Sequence, residues 1–166
     1  CIRDSTYARD KRVSDWARGA GVAWREFRQF GVIRGLRDRD GWAKRWNIMM
    51  AKPITATPKR IVSLTPEGAV GPMSAREFGL SSRTRDLQKG GSVEAKAVLR
   101  SFLSERGSHY QSEMSSPLTA PTSCSRLSPH LAYGTISMKS VHQALKFKRQ
   151  SLRQSAAAKG AAGGAW

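Results

Sequence analysis

The run Cys124-Ser125-Arg126-Leu127-Ser128-Pro129 carries residue types that can hold a phosphorylated ligand. A serine hydroxyl accepts from the free amides at a helix start, and a proline fits the first helical position, where no donor is needed. Those amides, with a guanidinium beside them, suit an anion such as a pyrophosphate. Ser128 is the expected N-cap and Pro129 the first helical residue, with Ser123 adding a further hydroxyl upstream. Gly134 is placed to stop the short helix in a left-handed conformation, and Ser137, nine residues after Ser128, caps a second, longer helix. An ordinary capped helix-turn-helix would use the same residues, and local physics alone favours that plainer reading.

Other chemistries lack their constellations. His109, His130 and His142 have no spacing that makes a metal site. Cys1 and Cys124 are too few for a disulfide framework or for the ligands of an iron–sulfur cluster. There is no Gly-Lys-Ser or Gly-Lys-Thr phosphate loop and no Gly-x-Ser-x-Gly elbow. The carboxylates lie mostly among arginines, so the chain presents no catalytic residue and no metal ligand of its own.

Charge is the strongest compositional signal. A net charge of +17 implies a polyanionic partner more readily than a small neutral one. No acidic residue follows Glu113, whereas Arg126, Lys139, Lys146, Lys148, Arg149, Arg153 and Lys159 all do. On a helix from Ser137 to about Gln154, the spacing turns Met138, Val141, Leu145 and Leu152 to a core and Lys146, Arg149 and Arg153 to the other side, where they can meet DNA phosphates. A solvated surface would carry the same charges. A second basic cluster, Arg34, Arg37, Arg39, Lys44 and Arg45, is interleaved with Trp42 and Trp46, whose four-residue spacing suits packing better than base stacking.

The elements that must position these groups are mainly helical. The pattern predicts a helix over 8–19, a strand over 22–28 and a helix over 39–50. Residues 51–91, with Pro53, Pro58, Pro66 and Pro72 among Ser, Thr and Gly, read as a linker with little regular structure. Ser92 is the expected N-cap of a helix reaching Arg106, on which Val93, Ala97, Val98, Phe102 and Leu103 share a face. The tail after Ser155 is low in complexity and is expected to fray. No run approaches the roughly 18 apolar residues of a membrane span, and these residues show no signal-peptide pattern; a cytoplasmic monomer that avoids membranes is expected.

Several of these segments, in order, resemble the photolyase and cryptochrome family, most closely its bacterial cryptochrome-like branch. Cys124 to Pro129, the short helix, Gly134 and Ser137 are similar to that family's flavin-binding signature. Tyr110 with Pro117, and Met114-Ser115-Ser116-Pro117, resemble its companion motif. Gly90-Gly91, Leu99, Phe102-Leu103 and Arg106 look like its first flavin-domain helix, with Pro72-Met73-Ser74 and Phe78-Gly79-Leu80 on the approach. Tyr7 to Trp16, Gly21 to Phe27 and Arg39 to Trp46 resemble the end of its α/β antenna domain.

The resemblance implies a mainly α chain with a small α/β remnant. Residues 1–50 would end the antenna domain, 51–91 link, and 92–166 begin a helical FAD-binding domain. It implies a piece of a longer protein, most of whose antenna domain precedes Cys1 and most of whose flavin domain follows Trp166. It implies FAD as cofactor, leaves open a folate or deazaflavin antenna chromophore, and names DNA containing pyrimidine dimers as substrate. The activity would be light-driven dimer repair by a photolyase, with a cryptochrome photoreceptor, or a basic nucleic-acid-binding protein keeping a relic motif, as alternatives. Carried over by position, Tyr110, Cys124, Ser125, Arg126, Leu127 and Ser128 would contact the flavin nucleotide. Cys124 replaces the usual Thr and removes a hydroxyl, and Met114 stands where several members carry an Arg facing DNA. With the covering helices absent, this chain is expected to retain FAD weakly or not at all.

Overall fold

Every regular element among the described residues is helical. The computed structural model describes residues 5–63, 67–80 and 87–158, in two compact units divided after Asp38.

In the first unit α1 spans Ser5–Gly19. Its end is set by Gly21 at φ 67°: Val22 N–H reaches the Ala17 carbonyl (2.8 Å) and Gly21 N–H that of Arg18 (3.3 Å), closing a Schellman turn. The expected strand over 22–28 does not form; the segment pairs with no strand among the described residues, and without a neighbour its backbone has no ladder. Arg34 folds the chain back instead, donating to Asp10 (2.6 Å) and Glu26 (2.8 Å) with its guanidinium 5.1 Å from the Tyr7 ring centre.

In the second unit Gly41, at φ 68°, precedes α2 (Trp42–Ala51). The linker holds no long element among its described residues, but it contains one closed turn. Ser74 and Glu77 cap each other reciprocally, with Ser74 N–H to Glu77 Oε2 at 2.6 Å and Glu77 N–H to Ser74 Oγ at 3.4 Å. Then come α3 (Ser92–Ser104), a 3₁₀ turn (Arg106–His109), α4 (Tyr110–Glu113), α5 (Ala120–Ser123), α6 (Ser128–Ala132) and α7 (Met138–Ala158). Helix α7 thus continues past Ser155, and the rest of the tail expected to fray lies outside the described residues.

The core of this unit is small and local to the site. Ala95 and Leu99 of α3 meet Leu127 and Ile136, with Val98, Leu103, Leu131, Val141 and Ala144 packed around them. Ser92 does not cap α3: Gly91 holds the N-cap position and no side chain closes that end. Helix α2 packs on α7 through Gln143, whose amide donates to the carbonyls of Met50 and Lys52 (both 2.9 Å).

Candidate functional site

One guanidinium organises the loop before α6. Just past the end of α3, Arg106 donates from Nε to Ser101 Oγ (2.7 Å) and from Nη2 to the Val98 carbonyl (3.0 Å). Its Nη1 donates to the Cys124 carbonyl (2.5 Å), and the Ser125 carbonyl lies 3.5 Å from Nη2. Gln88, from the linker, donates to the Arg126 carbonyl (2.8 Å). Three successive carbonyls are therefore taken up from the protein side.

A trans peptide is planar, with its N–H opposite its C=O. The amides of Ser125, Arg126 and Leu127 must then point away from Arg106 and Gln88. None of them, nor the Ser128 amide, donates to any described group of the chain. Arg126 bends the loop by adopting φ 56°, a left-handed conformation that costs a non-glycine residue about 1–2 kcal/mol. Its side chain is exposed, and neither Arg106 nor Arg126 has a carboxylate partner among the described residues. Burial, then the like charge of Arg126, pushes the Arg106 guanidinium below its ordinary value, although an arginine stays cationic throughout the working pH range. The unpaired amides and the exposed Arg126 guanidinium are donors of the kind an anion accepts from, whereas the Arg106 guanidinium is taken up by the Ser101 hydroxyl and backbone carbonyls on the other side of the loop.

Below the loop, Leu127 is 3% exposed and pins it to the core. This insertion moves the start of α6. Leu127 already has helical dihedrals and its carbonyl accepts from Leu131 N–H (2.9 Å), so Leu127 occupies the N-cap position. Ser128 is consequently an exposed residue inside the first turn rather than the cap, and Pro129 follows it.

The far end of α6 behaves as the sequence predicts. Gly134 has φ 68°, and Thr135 N–H to His130 C=O (2.9 Å) with Gly134 N–H to Leu131 C=O (3.3 Å) closes a second Schellman turn. Thr135 Oγ1 donates to the His130 carbonyl (3.2 Å) and lies 3.0 Å from His130 Nδ1. The buried His130 Nε2 has no described partner. Ser137 caps α7 as expected, accepting from Ser140 N–H (3.0 Å).

Tyr110 stands beside the loop, linked to it indirectly. Its ring meets Phe102 edge to face (5.8 Å), and Phe102 lies under the Arg106 guanidinium (6.0 Å). The neighbouring turn is tied by Ser123 Oγ donating to the Glu113 carboxylate and Thr119 Oγ1 to the Glu113 carbonyl (2.8 Å). Cys124 Sγ lies 3.9 Å from the Met114 carbonyl.

Lys146, Arg149 and Arg153 lie elsewhere, along a groove of about 720 Å³ between α2 and α7. Leu145 lines this groove with them instead of facing away, so the division of α7 into an apolar and a basic side is incomplete. Trp46 is half-buried against His142, ring centres 4.8 Å apart, and Trp42 packs on Trp46 at 6.1 Å. Arg34 of the second basic cluster is neutralised by Asp10 and Glu26.

Arg106 is the site residue whose role sequence reasoning missed, along with Gln88. Arg106 belongs to a helix pattern, and nothing in its neighbours announces bonds to residues 18 and 19 positions away. Among the described residues no cluster could hold a metal ion, and no helix is long and apolar enough to cross a membrane. No protein-family model, curated protein or solved structure matches the chain.

Proposed function

We propose that the Cys124–Ser128 loop holds the diphosphate of FAD in a light-driven DNA photolyase that repairs UV-induced pyrimidine dimers. One observation supports this most: the amides of Ser125, Arg126 and Leu127 point away from the donors that hold the preceding carbonyls, and the exposed Arg126 guanidinium has no carboxylate partner among the described residues. A diphosphate fits that donor set, since it offers many acceptors and the negative charge that the Arg126 guanidinium favours. Ser125 to Ser128 would supply amides, Arg126 a guanidinium, and Arg106 would keep the loop in its donating orientation. Tyr110, about 40% exposed, would supply its ring and hydroxyl near the nucleotide. When bound, the reduced and light-excited flavin would supply the electron for dimer splitting, chemistry that asks no acid–base pair of this chain.

A second reading, a basic nucleic-acid-binding protein that has kept the loop as a relic, draws on the groove between α2 and α7. Repair of UV-irradiated DNA by the complete gene product, reconstituted with FAD and exposed to blue light, tests the first reading. Loss of dimers only in the light is the expected result. Bound flavin without repair would point to a cryptochrome photoreceptor, and salt-sensitive DNA binding with no flavin absorbance would favour the second reading.

A further inference from the structure

The two helices that form the α2–α7 groove contain no carboxylate: α2 reads Trp42 to Ala51 and α7 Met138 to Ala158 without an Asp or Glu. Solvated helices normally mix the two signs along a face. Here Lys146, Arg149 and Arg153 recur on one face, and none has an acidic partner among the described residues. Asn47, His142 and Gln150 add hydrogen-bonding groups to the same walls. The C-terminal carbonyls of α2 would ordinarily repel an anion. Those of Met50 and Lys52 are covered by the Gln143 amide, and that of Pro53 accepts from Lys139 (3.2 Å).

We propose that this groove binds the sugar-phosphate backbone of a nucleic-acid strand, with Lys146, Arg149 and Arg153 each meeting a phosphate. The proposal rests on the nucleic-acid half of the reading above and not on its flavin half. From Lys146 to Arg153 the cations extend over roughly 10 Å of helix axis, longer than one phosphate and enough to meet successive phosphates of a strand. A single phosphate would engage only part of that row, whereas a repeating backbone engages all of it. The amides and imidazole on the walls supply donors for phosphate and sugar oxygens, which position a strand without selecting its sequence.

The test is fluorescence anisotropy with labelled oligothymidylate across a salt series, using the whole chain. The triple variant Lys146→Gln, Arg149→Gln and Arg153→Gln is compared with an equal charge removal at Lys89, Lys96 and Arg100, outside the groove. Loss of three phosphate contacts should flatten the plot of log affinity against log salt by about 2, because each contact on a single strand contributes about 0.7. Affinity should fall more than tenfold for the groove variant and less than threefold for the control. Equal losses in the two variants would overturn the proposal by showing that only net charge matters. Polyglutamate binding as tightly, with the same sensitivity to the groove variant, would overturn the nucleic-acid assignment. Flavin binding by the same proteins is read separately, so its failure leaves the groove result standing and the reverse holds too.

Discussion

Replacing Arg106 should damage the loop more than its position past the end of α3 suggests. Arg106→Gln removes three well-formed charge-assisted hydrogen bonds, to Ser101, Val98 and Cys124, plus the longer approach to Ser125. Desolvated bonds to a charged donor are worth about 1.5–3 kcal/mol each, but water reaches this half-buried head and can replace part of each one, leaving about 2–4 kcal/mol for the set. Urea denaturation of the chain measures that cost. Amide resonances of Ser125 to Ser128, followed by NMR while FAD is added, measure the effect on the loop. With the Cys124 and Ser125 carbonyls released, their peptide planes are free to rotate, and affinity should fall at least tenfold. Arg106→Lys keeps the charge but not the fork, so it should recover part of the stability and little of the loop geometry. If Arg106→Gln destabilises the unit yet leaves the loop amides and their response to FAD unchanged, Arg106 does not position this loop and the reasoning fails.

Thr135→Val should cost about 1–3 kcal/mol in urea denaturation, because it leaves His130 Nδ1 without its partner, while the His130 carbonyl keeps the Thr135 N–H; Thr135→Ser should be close to neutral. Leu127→Ala removes the buried side chain that pins the loop and should cost about 2–5 kcal/mol, with loss of NMR dispersion at Arg126 and Ser128. Asp10 is held below its ordinary 3.8 by the hydrogen bond from Arg34 first and then by Arg9. A carboxylate lowered in this way adds stability that is complete above its unfolded value and is lost as pH falls through the folded one. The Arg34 fold-back should therefore loosen below about pH 3.8, seen as a shift of the Arg34 Nε resonance, and Asp10→Asn should show no such titration at that position.

What was legible in the sequence was local. The Ser137 cap and the Gly134 turn use partners within five residues, so their residue types announce them. That α3 and α7 are helices was readable for the same reason, but the buried face of α3 was not: Val93 is exposed, and Ala95 and Leu99 enter the core instead. Ser128 and Ser92 were misplaced by one position because a cap depends on where the preceding residue goes. Leu127 enters the core and begins the helix early, and Gly91 takes the extended turn before α3. The strand over 22–28 failed because alternation describes a surface, while a strand also needs a neighbour. Arg106 and Gln88 were invisible as loop supports, since their carbonyl partners lie 18 to 38 residues away and carbonyls carry no residue signature. Leu145 joined the basic side of α7 because α2 docks beside it and closes the groove.

The central claim is that the amides from Ser125 to Ser128 receive a flavin diphosphate, and an NMR titration of the chain with FAD and, separately, with riboflavin tests it most directly. Weak binding is sufficient for this measurement. The account predicts that FAD shifts the four amides progressively and that riboflavin, which lacks the phosphates, leaves them in place. Loop amides indifferent to FAD, or shifted equally by riboflavin, would contradict it.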